Sequence, residues 1–516
     1  MKKIKIKRIK SIHISAALFT AEVILGALFI IYINMMNLIP HKYIIYASAA
    51  LGGIALLQAL LIILKRKKKA AAVVSSAFSG LLVIAFILSY SVVRNIATAL
   101  YDLTGNTNEY TNVVLIVKKN SPMQDILDIN SGTVGIRGII DTENTEYALA
   151  EINKKVSNPL STKEFIDFSS MVKALDNGSV ECILINRAYL SLIEEDYPDF
   201  AEDTRIIYQS SIEKNIASSG TDTDADVPFS VYICGTDASG RLADVNILAV
   251  VNPVDKKVLL INIPRDYYVP LYGDKSKMDK LTHGGIYGID CSLASLESVF
   301  DIKIKYYLKV DFSSVVNVVD ALGGIKVNSE YSFSSKWSLN TAKTYKFKKG
   351  VNELDGKAAL AFARERKSLP DGDVSRGKNQ QAIINAILDK ITSPAIITNF
   401  DEVMEAITSN CTTNISTEQI SQLVRMQLTD MASWEIESIS VTGTESYRTT
   451  YSYGSGTLFV FIPKSKSIKS AREKMIQTIM YTAPDKETEE APKTDTPSKP
   501  KVIEKEDRSW VPCFIG

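Results

Sequence analysis

Val245-Asn246-Ile247-Leu248-Ala249-Val250-Val251-Asn252-Pro253-Val254-Asp255-Lys256-Lys257-Val258-Leu259-Leu260-Ile261-Asn262-Ile263-Pro264-Arg265-Asp266 is the stretch on which the fold turns. It holds two apolar runs of strand length, residues 245–251 and 258–263. Pro253 and Asp255 between them are turn formers, so the runs form a hairpin. A third such run, 229–234, comes just before. Helical patterns follow at 293–300, 312–322 and 379–390, the second closed by Gly323-Gly324 as helix C-termini often are. Residues 228–481 therefore read as one α/β domain with a substantial core, a central sheet flanked by helices.

Upstream, residues 111–209 alternate strands with helices. Strands are expected at 113–117, 182–185 and 205–208, and helices at 146–156 and from 188. This is a smaller α/β unit. Residues 101–110 and 210–227 are polar and read as linkers. Residues 482–516 are mostly Pro, Lys, Glu, Thr and Asp, a composition that does not bury enough surface to fold.

The first hundred residues differ in kind. Apolar runs at about 15–36, 43–64 and 70–93 are each long enough to cross a bilayer as a helix. Glu22 is the only charge inside them. Basic clusters at residues 1–10 and 65–69 orient all three spans by the positive-inside rule. The amino terminus and the second loop stay in the cytoplasm, and everything after about Arg94 is extracytoplasmic. The first run is too long for a signal-peptide core and is followed by two more spans.

Across its 516 residues the formal net charge is +1, which gives no reason to expect a nucleic-acid partner. The five cysteines (Cys182, Cys234, Cys291, Cys411 and Cys513) show no paired spacing, so a zinc site is not expected. One disulfide among them stays open, with Cys234 read as a core thiol. Of three histidines only His283 lies outside the membrane region, where it reads as a loop-orienting residue.

Four short stretches place arginines beside carboxylates. The first, 235–244, is a glycine-containing loop between two strands, with Asp237, Arg241 and Asp244; its two carboxylates suit one hard cation such as magnesium. The second is Pro264-Arg265-Asp266 at a strand exit that the proline rigidifies. The third, Arg364-Glu365-Arg366, begins where a helix ends. The fourth, 371–381, carries Asp373, Arg376 and Gln380 and leads into a helix expected over 382–390, whose N-terminal amides would add anion-binding capacity. Planar guanidinium groups match phosphate oxygens and stay charged. The pattern points to a phosphorylated ligand held with a divalent cation outside a membrane. Gly372-x-x-x-x-Gly377-Lys378-Asn379 nearly matches a phosphate-binding P-loop, but lacks the Ser or Thr and the preceding apolar strand.

These stretches occur in the order Gly235-x-Asp237 with Asp244-Val245-Asn246; Ile263-Pro264-Arg265-Asp266-Tyr267-Tyr268-Val269; Asp279-Lys280-Leu281-Thr282-His283; Ala361-Phe362-Ala363-Arg364-Glu365-Arg366; and Gly372-Asp373-x-x-Arg376-Gly377-x-Asn379-Gln380. In this the chain closely resembles the LytR-CpsA-Psr family over about 228–481. Residues 111–209 look like the accessory domain of some members, and the three spans fit the capsule-associated branch. The resemblance implies a magnesium- or manganese-dependent transferase of the cell membrane in a Gram-positive bacterium. It would move a glycopolymer, capsule or teichoic acid, from a polyprenyl-pyrophosphate carrier to peptidoglycan. Asp237 and Asp244 would hold the metal. Arg265, Arg364, Arg366 and Arg376 would clamp the phosphates, with Asp266 in the catalytic set and Arg241, Lys280, Asp373 and Gln380 contacting substrate. The lipid tail would lie in an apolar groove. The same residues would also serve a pyrophosphatase or a non-enzymatic envelope regulator. Two departures stand out: Arg241 is one residue further from Asp244 than is usual, and Val374 or Ser375 stands where many relatives carry another arginine.

Overall fold

The computed structural model describes residues 2–480 except 65–68, 106–107, 130–131, 216–226, 237–241, 336–343, 394–395, 397–398 and 455. Residues 482–516 and most of the segment read as a linker over 210–227 lie outside the described residues.

Three helices open the chain: α1 (Lys2–Met36), α2 (His41–Leu64) and α3 (Lys69–Gly105). Their segments Ile14–Met36, His41–Ile63 and Val73–Thr98 are long and apolar enough to cross a membrane. Rings of α1 and α3 pair at Phe29–Phe86 (5.9 Å) and Tyr32–Tyr90 (4.9 Å). Glu22 is buried beside Gln58 of α2, which gives the lone intramembrane charge a polar neighbour. Helix α3 does not stop at residue 93, and no linker covers 101–105. Polar Arg94 and Asn95 leave the apolar zone, yet the helix continues because Ile96 and Leu100 pack against Met404, Ile420 and Val424 of the following domain.

The first sheet contains β1 (Asn108–Lys118), β2 (Thr133–Arg137), β3 (Ser161–Phe165), β4 (Cys182–Asn186) and β5 (Thr204–Asn215), in the order β3-β2-β4-β1-β5. Strand β2 pairs parallel with β3 and β4, while β1 runs antiparallel to β4 and β5. Helices α4 (Thr142–Asn153) and α5 (Phe168–Asp176) make the crossovers. Strand β5 extends into the expected linker as far as Asn215. Ser210–Asn215 find ladder partners in Asn108–Val113, and that pairing outweighs their polar composition.

The second sheet is built on β6 (Phe229–Thr236), β7 (Ala243–Asn252) and β8 (Lys257–Asn262). Strands β7 and β8 form the expected antiparallel hairpin, and β6 pairs antiparallel with β7. The Tyr306–Val310 strand joins β6 and the Glu435–Ser440 strand joins β8, both parallel, and Cys411–Thr413 forms the far edge. One face buries Tyr232, Leu248, Val250 and Ile261 under the Ile289–Phe300 and Ser465–Met480 helices. The other buries Val231, Ile247, Ala249 and Leu260 against Ile384, Leu388 and Leu423. This alternation along each strand is what two covered faces require.

The domains and the membrane helices are packed together. Tyr287 and Tyr451 of the larger domain lie against Phe168 and Tyr189 of the smaller, and Tyr451 Oη donates to the Ile139 carbonyl at 3.1 Å. Arg425 donates to Asn37 Oδ1 at 2.5 Å, Lys42 to the Thr429 carbonyl, and Thr417 to the Leu100 carbonyl at 3.3 Å. None of Cys182, Cys234, Cys291 and Cys411 is joined in a disulfide, so the one left open in the sequence does not form among the described residues.

Candidate active site

Three structural devices deliver charged groups to one end of the second sheet. The first is the β6–β7 turn. Gly235 lies so close to Val245 that a Cβ there would stand 2.7 Å from the Val245 Cβ, and the ladder shifts register between Gly235 and Thr236. This irregularity presents Asp244 at the start of β7. Asp237 and Arg241, expected to join it, lie outside the described residues.

The second device is the exit of β8. Pro264 leads to Arg265, whose carbonyl accepts from Thr282 N at 2.9 Å, while the Tyr267 carbonyl accepts from Leu281 N at 2.8 Å. Residues 281–282 are held in turn by a buried pair, His283 Nδ1 and Asp279 Oδ1 at 2.6 Å, with Ser452 N donating to Asp279 Oδ2 at 2.6 Å. His283, expected to orient a loop, instead lies in the short helix Leu281–Gly284, and its pair with Asp279 ties that helix to the strand before it. Lys280, which ends that strand, meets Asp266 at 3.1 Å.

The third device is a helix that starts earlier than expected. It spans Asp373–Ile391, with Gly372 at its N-cap in a positive-φ conformation (φ 51°). Arg376, Asn379, Gln380 and Gln381 therefore lie within the helix, not in a loop before it. Packing explains the early start. A Cβ at position 377 would stand 2.2 Å from Asn262 Nδ2, so only glycine lets the helix sit on the end of β8. Asn379 donates to the Phe362 carbonyl (3.2 Å), and Gln381 donates to the Leu260 (3.2 Å) and Ile439 (2.7 Å) carbonyls. The motif thus combines a charged residue with three scaffold residues. It is not a P-loop: it is helical, and Lys378 turns to Glu330 at 3.0 Å.

The charges meet there. Arg265 Nη1 donates to Asp244 Oδ1 at 2.8 Å and its Nε lies 3.7 Å from Asp266 and 3.8 Å from Asp373. Asp373 Oδ1 lies 3.2 Å from both Arg366 and Arg376. Asp373, read as a substrate contact, is therefore a hub among three arginines, a role no pattern in the sequence marks. Arg364 ends the Gly356–Arg364 helix two residues before Arg366, and Gln380 lies buried one turn after Arg376 on the same helix face. Burial would push the Arg265 guanidinium down, but Asp244, Asp266 and Asp373 together hold it above its ordinary value. Burial pushes Arg376 below its ordinary value, and Arg265 and Arg366 add to this despite Asp373 and Asp244.

One buried donor there, Arg265 Nε, makes no hydrogen bond, its nearest carboxylates lying at 3.7 and 3.8 Å. A spare guanidinium donor suits a ligand that brings anionic oxygens. The available donors are carboxylate oxygens, which fit magnesium or manganese. Among the described residues no three His, Cys, Asp or Glu side chains are grouped to hold an ion unaided.

An apolar cavity of about 530 Å³ lies further along the same sheet face. Its inner wall includes Val231, Ala249, Val258 and Leu260, and Leu388 and Ile391 of the Asp373–Ile391 helix close one side.

A cluster of arginines and aspartates on an α/β sheet, an apolar cavity along that sheet and three helices long and apolar enough to cross a membrane together define a class of protein with a polar site joined to a membrane-type anchor. The LytR_cpsA_psr family model matches residues 198–476, and the chain belongs to that family. It is 36% identical over 215 residues to the polyisoprenyl-teichoic acid–peptidoglycan teichoic acid transferase TagU of Bacillus licheniformis, covering 41% of this chain and 67% of that protein. It is 31% identical over 273 residues to the corresponding transferase TagV of Bacillus subtilis, covering 51% and 67%. The crystal structure of B. subtilis TagV aligns at 28% identity and a TM-score of 0.43, over 50% of this chain and 99% of that one.

Proposed function

We propose that this chain is a membrane-anchored phosphotransferase that moves a glycopolymer from a polyprenyl-pyrophosphate carrier onto peptidoglycan. The convergence of Arg265, Arg366 and Arg376 on Asp373, with Asp244 on the far side of Arg265, carries this reading. The names of the two transferases above support it, and make a teichoic acid or a similar anionic polymer the first candidate cargo.

In the reaction, a sugar hydroxyl of the acceptor attacks the phosphorus that bears the glycan. A phosphorus–oxygen bond to the acceptor forms and the bond to the bridging oxygen breaks. Polyprenyl monophosphate leaves, and glycan and acceptor are joined by a phosphodiester. Such a transfer needs alignment and charge neutralisation more than covalent chemistry from the protein. Arg265, fixed by Asp244 and by the start of the Leu281–Gly284 helix, would grip one phosphate. Arg376 and Arg366, held by Asp373, would take the other, with Arg364 and Gln380 beside them. Asp244 or Asp266 would accept the hydroxyl proton. A magnesium or manganese ion at Asp244, with Asp237 or Asp373, would supply further neutralisation of the pyrophosphate.

The orientation expected from the basic clusters puts this chemistry outside the cytoplasm. In support, the Asn37–Lys42 turn and the end of α3 both contact the larger domain, as outer ends of spans would. The test is transfer of labelled glycan from a polyprenyl-pyrophosphate donor to isolated peptidoglycan. Label in a wall-linked phosphodiester is expected. Release of glycan phosphate at the same rate with and without peptidoglycan would make water the acceptor and the protein a pyrophosphatase.

A further inference from the structure

The cavity beside the phosphate cluster is not enclosed by the α/β domain alone. Its outer wall is formed by Ile33, Met36 and Ile39 of the first membrane helix and the turn after it, and by Val93 and Ile96 of α3. All five lie at the ends of spans that the larger domain contacts, and the wall they form is nearly all apolar. Such residues would ordinarily face lipid tails or pack tightly on a neighbour. Here they border an open volume instead, so that α1, α3 and the sheet share one chamber.

The chamber lies along the same strand and helix that carry the cluster. Strand β7 runs from Asp244 to Ala249, about 17 Å at strand rise. The long helix runs from Arg376 to Leu388, about 18 Å at helix rise. Both connect the charged end to the chamber along a single sheet face. Val245, Ile247 and Ile384, between the two, are apolar as well. A ligand with a charged head at Arg265 and Arg376 would lay an apolar tail toward the membrane helices.

We infer that α1 and α3 are part of the donor site: Met36, Ile39, Val93 and Ile96 form the bilayer-side wall of the chamber, and the polyprenyl chain enters sideways from the outer leaflet between these helices. This rests on the proposed lipid-linked donor. The membrane segment then does more than raise the local concentration of the domain near its substrate. It contributes binding surface, and the packing contacts along that wall are made by a long chain but not by a short one.

The experiment uses the full chain in phospholipid nanodiscs and two glycan-free probes, a long-chain polyprenyl pyrophosphate and geranyl pyrophosphate. Val93→Trp fills the chamber from the membrane side. Its Kd for the long-chain probe is expected to rise at least about tenfold, with geranyl pyrophosphate changed less than about twofold. No loss for the long chain, or equal loss for both probes, would overturn the inference. A photoreactive benzoylphenylalanine in place of Val93 tests the wall without relying on a bulky variant. It is expected to crosslink to the long-chain probe in competition with unlabelled probe; crosslinking to bilayer phospholipid alone would overturn the inference. Failure of the transferase reading looks different: both probes bind as expected, yet no glycan reaches peptidoglycan.

Discussion

Removing Arg265 strips the cluster of the group that touches the most carboxylates. In Arg265→Ala, Asp266 keeps Lys280 at 3.1 Å and Asp373 keeps Arg366 and Arg376 at 3.2 Å. Asp244 alone loses its ion-pair partner, at 2.8 Å, with its side chain 19% exposed. A hydrogen bond to a charged group is worth about 1.5–3 kcal/mol net. The contacts at 3.7 and 3.8 Å are long and add on the order of 0–1 kcal/mol together. The expected loss is about 1.5–4 kcal/mol, or about 3–16 °C in the unfolding midpoint of a domain this size. Transfer activity, which loses a preorganised charge at the phosphate, should fall about 10²–10³-fold. Arg265→Lys keeps the charge but cannot address Asp244, Asp266 and Asp373 with one planar fork. It should recover most of the stability and little of the activity. The assays are a thermal melt of the purified full chain and glycan transfer to peptidoglycan. Activity within threefold of wild type in Arg265→Ala, with an unchanged midpoint, would refute the placement of Arg265 at the centre of the site.

Three further outcomes follow from the same geometry. Asp373→Asn leaves three guanidinium groups without their shared counter-charge, so inorganic pyrophosphate should bind more tightly while transfer drops about tenfold or more; weaker pyrophosphate inhibition would contradict the hub assignment. Gly377→Ala puts a Cβ against Asn262 and should cost about 1–3 kcal/mol as the helix lifts from β8, displacing Arg376; a melt and transfer rate both equal to wild type would exclude that close approach. Burial pushes the Cys182 and Cys291 thiols up to about 12 and Cys411 to about 11, from an ordinary 9.0. The native protein should resist alkylation at these three at pH 8. It holds protons the unfolded chain releases, so stability should decline as pH rises from about 9 toward 12; rapid native labelling of any of the three would count against this packing.

Much of the site could be read from the chain because its parts use residues with narrow physical uses. The spans are visible as runs of bilayer length between basic clusters, and the β7–β8 hairpin as two apolar runs around Pro253 and Asp255. The arginines stand beside carboxylates in the sequence, which marks them as candidates before their convergence is known. The start of the 373–391 helix was hidden for a physical reason. Gly372, Val374, Ser375 and Gly377 are poor helix formers, and only the contact with Asn262 and the carbonyls taken by Asn379 and Gln381 repay their low propensity. The extension of α3 beyond Arg94 was hidden likewise, since its partners, Met404, Ile420 and Val424, lie three hundred residues away. The hub role of Asp373 depends on tertiary distance alone, which local spacing does not encode.

The most direct measurement follows both products of one reaction: full-length protein in a bilayer, a polyprenyl-pyrophosphate glycan labelled in its phosphates, and peptidoglycan as acceptor. The account predicts one polyprenyl monophosphate released for each glycan phosphate fixed to the wall, with both lost in Arg265→Ala. Wall-linked glycan formed at full rate by that variant, or carrier phosphate released with nothing fixed to the wall, would contradict it.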